Sequence, residues 1–317
     1  MLARTADSLF WLARYMERAE NVARILQVAC RMASMSRSIG NGSNEWLSTL
    51  VAAGCEDDFA AVHGDAEPSA RAALHYLARD PSNPSSICSC FETARRNARA
   101  VRTALTVDMW EALNETWIGA RSFGERDFEP DRVAVFLDWV KHRSLLFHGA
   151  YANTMLRNDA YYFTQLGTFI ERADNTARIL DVKYHVLLPA ADPVGGALDY
   201  YQWQSILRSV SALRSYHWIY RETLKPWHLA EMLILRPEMP RSLRSCYAQI
   251  TRYLGLVAET YDNRRGECHR LAGEIDARLR VGRIEDVFQC GLHEFLTEII
   301  DDTAVLGQNI AEFYLVS

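Results

Sequence analysis

The sequence lacks the features of a membrane, secreted or disordered protein. No apolar run reaches the roughly 18 to 20 residues of a membrane span. Charged residues, among them Arg4 and Glu17, interrupt the segment where a signal peptide would have its apolar core. Hydrophobic residues make up 49% of the 317 residues and charged residues 24%, which is typical of a folded globular protein. We therefore expect a cytoplasmic protein with no membrane attachment.

The chain also lacks the motifs of metal and cofactor sites. Its seven cysteines include no Cys-x-x-Cys pair, so reduced, buried thiols are predicted. Near the C-terminus one helix face is acidic, but Glu-x-x-His spacing, typical of two-metal helical bundles, is absent. That face comprises Glu294, Glu298, Asp301 and Asp302. No phosphate-binding, dinucleotide-binding or nucleophile-elbow motif is present either. Neither a metal nor a cofactor is predicted, and we interpret His142, His148, His217 and His228 as ordinary core or surface residues.

Lysine is scarce, although basic residues are not. Only three of the 35 basic residues are lysines, and the other 32 are arginines. Arginine is suited to bidentate contacts with carboxylate or phosphate and tolerates burial when it is paired. A genome biased toward arginine codons would give the same count. The net charge of −5 argues against binding to nucleic acid or to acidic membranes.

Helical periodicity dominates the sequence. Alternating β-branched runs are essentially missing, and we predict an all-α helical bundle. The predicted helical segments are 9–28, 87–105, 133–156, 161–188, 203–220, 243–258 and 284–315. Glycine and proline predict breaks at 40–42, 80–84, 128–130, 189–196 and 237–240.

The second half of the chain resembles the first. Leu12 to Val28 aligns with Leu166 to Val182 without a gap, at an offset of 154 residues, with ten identities in seventeen positions. "WLSTL" is followed by "WQSIL" at an offset of 157, and "LARDPSNPSSICSCF" by "LILRPEMPRSLRSCY" at 156. Three matches that occur in the same order and at nearly the same offset predict a tandem duplication, with halves 1–157 and 158–317. We expect the halves to pack about a pseudo-two-fold axis, as one bundle or as two subdomains.

Charged residues repeat along with the apolar ones. On a helical wheel each copy places a polar stripe opposite its apolar face, with the arginine of a Glu-Arg pair at the border. The first copy comprises Glu17, Arg18, Glu20, Asn21 and Arg24, and the second comprises Glu171, Arg172, Asp174, Asn175 and Arg178. Three arrangements are open: surface stripes with the i,i+4 ion pairs Glu20–Arg24 and Asp174–Arg178, two stripes interlocked in a buried network, or a ligand or partner site framed by both. We favour interlocked stripes, with function at the edge of that contact.

A second candidate site lies between Ser85 and Trp117. Ser85 or Ser86 is expected to cap its first helix. Four arginines cluster there, three of them on one face: Arg95, Arg99 and Arg102, with Arg96 beside them. They are expected either to pair with an acidic stripe such as Glu17 and Glu20 or to hold a phosphate or carboxylate. Further along, Trp110 and Asn114 are i,i+4 neighbours, interpreted as a core tryptophan and a capping or bridging amide.

Together these stretches resemble the bacterial alpha-E family, a predicted α-helical domain with a Glu-Arg motif. The resemblance covers essentially the whole chain and rests on "MLARTADSLFWLARYMERAENVARIL", "ARRNARAVRTALTVDMWEALN" and "QLGTFIERADNTARILDVKY". One departure is Arg96, where the family run is expected to read Ala-Arg-Glu-Asn. The resemblance implies partners, because members are typically encoded beside or fused to a circularly permuted ATP-grasp protein, and often a transglutaminase-like protease. ATP-grasp enzymes join a carboxylate to an amine through an acyl phosphate.

These observations predict a non-catalytic accessory protein that presents substrate to an ATP-grasp ligase or regulates it. One alternative is an enzyme in its own right, with Glu17 and Glu171 as acid–base groups. Another is a purely structural scaffold. Self-association is an open possibility for any of the three.

Overall fold

The computed structural model describes residues 1, 3–39, 45–64, 67–186 and 197–315. Within these ranges the chain forms fifteen α-helices and no strand, which confirms the predicted all-α class. No helix in this part of the chain is both long enough and apolar enough to cross a membrane.

The helices are numbered in chain order. The first seven are α1 Ala3–Ile39, α2 Glu45–Ala53, α3 Glu56–His63, α4 Ala70–Ala78, α5 Ile87–Ala100, α6 Val107–Ala120 and α7 Val133–Thr154. The other eight are α8 Asp159–Val186, α9 Ala197–Ser209, α10 Leu213–Tyr220, α11 Pro226–Ile234, α12 Leu243–Thr260, α13 Glu267–Val281, α14 Ile284–Cys290 and α15 Leu292–Ile310. Short turns of 3-10 helix (Arg102–Ala104 and Glu125–Phe128) and of π-helix (Ala311–Leu315) complete the description.

Two long helices, α1 and α8, pack against each other at the centre of the bundle. Helices α5 and α7 pack on α1, while α12 and α15 pack on α8. The central pair is so close that a Cβ added to Gly167 would lie 2.2 Å from the carbonyl oxygen of Phe10. Glycine at this position therefore lets the two backbones touch. On α1 the Glu-Arg pair lies seven and eight residues after Phe10, and on α8 it lies four and five residues after Gly167. Each Glu-Arg pair therefore faces the other helix.

One continuous apolar core surrounds the central pair. It takes residues from both ends of the chain, including Leu26, Tyr76, Leu180 and Tyr247, all at most 1% exposed. The seven cysteines are free thiols, as predicted, but only four of them are buried; Cys30 and Cys88 are half-buried and Cys290 is exposed.

Two of the predicted helical segments are each two helices. Segment 203–220 is broken after Ser209, where Ser211 has a φ of 59°. Segment 284–315 is broken at Gly291, whose φ of 103° is accessible to glycine. The predicted breaks at 80–84, 128–130 and 237–240 lie between helices, and those at 40–42 and 189–196 lie outside the described residues.

Candidate functional site

The two Glu-Arg pairs bind each other across the central helices. Arg18 donates from Nε and Nη2 to the two carboxylate oxygens of Glu171, at 2.5 and 3.1 Å. Arg172 donates in the same way to Glu17, at 2.9 and 2.8 Å. Each helix therefore supplies one carboxylate and one guanidinium group to a reciprocal pair of bidentate contacts, the strongest ion-pair geometry available to these side chains.

On one side of this contact two carboxylates are sealed in the interior, surrounded by buried and half-buried polar groups. We call this group the sealed cluster: Glu17, Glu20, Arg24, Ser144, His148, Arg172 and Arg241. Both carboxylates are 0% exposed. Arg241 links them, because Nη1 donates to Glu17 at 2.9 Å and Nη2 donates to Glu20. Surface pairing is therefore wrong for the first stripe, although its predicted Glu20–Arg24 ion pair is present.

Further groups surround the same two carboxylates. Ser144 of α7 donates a hydrogen bond to Glu20. Nε2 of His148 lies 3.0 Å from Glu17 Oε2, but this contact lacks the direction of a hydrogen bond. Burial acts to raise the pKa of Glu20, but the charges of Arg241 and Arg24 lower that pKa to about 2. Burial also opposes ionisation of Glu17, and Arg172 and Arg241 hold its pKa well below the usual value. Both carboxylates are consequently charged at neutral pH.

The sealed cluster contains a possible set of metal ligands, since oxygen and nitrogen atoms of Glu17, Glu20 and His148 lie within 4.8 Å of one another. However, three guanidinium groups already surround the two carboxylates. A divalent cation would add positive charge where positive charge is already in excess. These residues fit an ion-pair network better than a metal site.

On the other side of the contact the polar groups border a cavity of about 230 Å³, which we call the α1–α8 cleft. It is lined by Arg18, Asn21, Val22, Ile25, Ala53, Gly54, Ser85, Glu171, Asp174, Asn175 and Arg178. Six of these residues belong to the predicted polar stripes. The second stripe therefore lies partly at a cavity, while the first is largely sealed.

Charged groups in the α1–α8 cleft form ion pairs, but some of their donor and acceptor atoms have no hydrogen-bond partner among the described residues. Besides Arg18, Glu171 accepts a hydrogen bond from Nε of Arg14 at 2.8 Å. Burial acts to raise the pKa of Glu171, but these two guanidinium groups lower that pKa to about 2. The predicted Asp174–Arg178 ion pair is present, with Nε donating at 2.8 Å. It occupies only one of the three nitrogen atoms of Arg178.

Comparison with known proteins finds the Glu-Arg motif in a protein family. The sequence model of a family called Alpha-E, described as a predicted alpha-helical domain with a conserved ER motif, matches residues 1–315. The chain belongs to the alpha-E family. Two similar relatives of this alpha-E chain are uncharacterised proteins of Mycobacterium bovis and Mycobacterium tuberculosis, each 25% identical over 94% of the chain. The chain spans only 35% of the length of each relative. No solved structure gives a significant match.

The second candidate site of this alpha-E chain is not joined to the first. Arg95 stacks on Trp117 and donates to Asn114, which confirms a bridging amide. Arg102 stacks on Trp110, which is half-buried at the edge of the core rather than within it. Arg99 is exposed. The expected pairing of these arginines with Glu17 and Glu20 is wrong, because Arg24, Arg172 and Arg241 occupy those carboxylates.

Sequence reasoning missed the site residues that lie outside the repeated motif. Ser85 accepts from Arg18 at 3.4 Å, yet was considered only as a helix cap. The cap of α5 is its neighbour Ser86. Arg241 directly precedes Ser242, the cap of α12, and so occupies the place that Ser85 has before α5. This difference between the aligned positions Ser85 and Arg241 is the one signal in the sequence that points to Arg241, and no pattern points to His148.

Proposed function

We propose that this alpha-E protein is a non-catalytic accessory protein that acts with a circularly permuted ATP-grasp amide ligase, presenting its substrate or regulating it. The observation that carries the proposal is that the carboxylates of both Glu-Arg pairs are buried and held by guanidinium groups. The ligase partner follows from the family resemblance. The mycobacterial relatives extend well beyond the matched part, which is compatible with fusion to further domains.

The same observation argues against acid–base catalysis by Glu17 and Glu171. A general base has to reach a substrate proton, and its pKa is best placed near the working pH. Both carboxylates are instead bound by arginines from two sides. The pKa of Glu171, about 2 because two guanidinium charges outweigh burial, makes it a very weak base.

We also propose that the chain consists of two tandem halves, 1–157 and 158–317, related by a pseudo-two-fold axis. The reciprocal Glu-Arg contacts support this, since each half supplies the same two groups. The serine caps of α5 and α12 lie 156 residues apart, and these helices pack on α1 and α8 respectively.

Co-purification tests the partnership. The chain is co-expressed with an ATP-grasp ligase encoded next to it, and the ligase's ATP turnover and amide formation are measured with and without the chain. We expect a stable complex and a change in ligase turnover. A transglutaminase-like protein can be tested in the same way, and light scattering of the chain alone reports self-association.

The enzyme alternative predicts a different result. If the isolated chain turned over a substrate, and Glu17→Gln abolished that turnover while circular dichroism remained native, the accessory role would be wrong. Glu285→Gln is the matched control, because this carboxylate is exposed and its pairing with Arg283 is a loose 3.5 Å contact. Absence of any complex together with unchanged ligase activity would also contradict the proposal.

A further inference from the structure

The α1–α8 cleft has the size of a small-molecule site. Its volume of about 230 Å³ equals that of roughly eight water molecules. Pockets for drug-sized ligands are larger, about 300–1,000 Å³. The volume of the cleft therefore suits a ligand of about eight non-hydrogen atoms better than one as large as a nucleotide.

One wall of the cleft offers unused hydrogen-bond donors. Arg178 uses Nε for Asp174, and neither terminal nitrogen has a partner among the described residues. The guanidinium group lies against Gly54, where a Cβ would come within 2.8 Å of Nη1. Gly54 has a φ of 67°, so the turn after α2 both favours glycine and leaves space for this arginine. Two parallel N–H groups held in this way match a carboxylate.

The cleft also offers unused acceptors. Oδ1 of Asn21 is buried without a hydrogen-bond partner, although Nδ2 of this residue donates to the Glu171 carbonyl at 3.4 Å. Only Oδ2 of Asp174 is bound by Arg178, which leaves Oδ1 without a partner in the described part of the chain. The amide of Asn175, in a residue only 3% exposed, makes no hydrogen bond to any described residue. Buried polar groups are normally paired, so the buried and unpaired Oδ1 of Asn21 indicates a missing ligand. Asp174 is 21% exposed, and its free oxygen is open to the cleft.

The charges in the cleft select the type of ligand. Glu171 is already held by Arg14 and Arg18, so the charged groups with free atoms are Arg178 and Asp174, one of each sign. A phosphate would meet the free carboxylate oxygen of Asp174, and a simple cation would face the free nitrogens of Arg178. A ligand with one charge of each sign avoids both penalties. Because Asp174 and Arg178 are in contact, they present an acceptor and a donor side by side.

We propose that the α1–α8 cleft binds a free α-amino acid. Its carboxylate is held by the terminal nitrogens of Arg178, and its ammonium group by Asp174 Oδ1 and Asn21 Oδ1. Asn175 is available for either group. This inference deepens the proposed function and rests on it for its biological meaning, since an amino acid carries both groups that an amide ligase joins.

Titration of the purified chain tests the binding itself. The probes are the twenty amino acids, each followed by calorimetry or NMR. For any that binds, the N-acetyl derivative, the amide and inorganic phosphate are tested alongside. We expect at least one amino acid to bind in the millimolar range or more tightly, and the two derivatives, which each lack one charge, to bind at least about tenfold more weakly. No binding of any amino acid, or binding of phosphate in preference to all of them, would overturn the proposal.

Variants locate the site. Arg178→Lys keeps the charge but removes the two-nitrogen fork, and we expect binding to weaken by about tenfold or more. Ser85→Arg places at the cleft the side chain that Arg241 contributes to the sealed cluster, so it should block binding without removing any ligand group. Arg270→Lys is the matched control, because Arg270 is exposed and forms an i,i+4 pair with Glu274. Binding that is unchanged in both cleft variants would show that the amino acid lies elsewhere.

The two proposals can fail separately. Binding of an amino acid without a ligase complex would leave the cleft assigned and the partner wrong. A ligase complex formed by a chain that binds no amino acid would support the accessory role and remove the cleft as its substrate site.

Discussion

Replacing Glu171 with glutamine removes one negative charge from between two guanidinium groups while nearly preserving the shape of the side chain. The carboxylate is 5% exposed and accepts hydrogen bonds from Arg14 and Arg18. Removing one partner of a buried ion pair typically costs about 3–5 kcal/mol, because the other charge is left without compensation.

The lowered pKa of Glu171 gives an independent magnitude. Burial raises the pKa and the two arginines lower it, from 4.5 to about 2. At about 1.4 kcal/mol for each pKa unit, the ionised carboxylate contributes about 3 kcal/mol to the free energy of unfolding at neutral pH. The cost expected for removing an ion-pair partner and the contribution calculated from the pKa therefore agree. For a domain of this size the loss corresponds to a fall in melting temperature of roughly 5 °C.

The same pKa predicts the pH dependence. A lowered pKa in the folded state means that the contribution is complete above the unfolded pKa and is lost as the pH falls toward the folded one. The window therefore runs from about 4.5 down to about 2. The difference in stability between the wild type and Glu171→Gln should be about 3 kcal/mol at pH 7 and about 2 kcal/mol at pH 3.5.

Urea unfolding of both proteins at pH 7, 5 and 3.5 measures this difference. Glu285→Gln, at the exposed pair with Arg283, is the control and should change stability by less than about 0.5 kcal/mol. A loss below 1 kcal/mol for Glu171→Gln at pH 7 would refute the electrostatic reasoning. So would a difference that stays constant down to pH 3.5.

Three further changes test the packing by urea or thermal unfolding. Gly167→Ala should lower the free energy of unfolding by roughly 2–3 kcal/mol, because the added Cβ would meet the backbone of Phe10. Gly255→Ala is the control, since a Cβ there has open space and should be neutral or stabilising. Equal effects of the two changes would argue against the close helix contact. Ser242→Ala removes the cap of α12 and should cost about 1 kcal/mol, and an unchanged melting temperature would contradict that role. Arg241→Met should cost about 3–5 kcal/mol, since it removes the group that links two buried carboxylates, and a stabilised variant would mean that its desolvation outweighs its pairing.

How much of the fold the sequence predicts depends on the length of each helix. Helices α1, α7, α8 and α12 repeat their apolar pattern over many turns, so periodicity identifies them. Helices such as α3 and α4 have only eight and nine residues, which is too short for a period to emerge. The breaks at Ser211 and Gly291 are single residues with positive φ, and a period spanning them gives no warning.

The sequence predicts the parts of the site that lie in the repeated motif, both the local ion pairs and the contact between the two stripes, but not the residues outside the motif. The i,i+4 pairs Glu20–Arg24 and Asp174–Arg178 follow from helix geometry and were found. Arg241 lies more than 200 residues from Glu17 and Glu20, and no helical period connects them. A polar stripe on a helical wheel also does not reveal what covers it, so the sealed first stripe and the open second stripe look alike in the sequence.

The reciprocal Glu-Arg contacts connect the sealed interior with the open cleft. Sliding α1 along α8 by one helical turn, about 5.4 Å, would separate both pairs and leave four charges without partners near the core. The network therefore selects one register of the two helices, which is a better-supported role for buried charges than added stability. The cleft depends on that register, because α1 supplies Asn21 and α8 supplies Asp174 and Arg178. A pair of structural ion contacts in the centre of the bundle thus places the unpaired donors and acceptors at its edge.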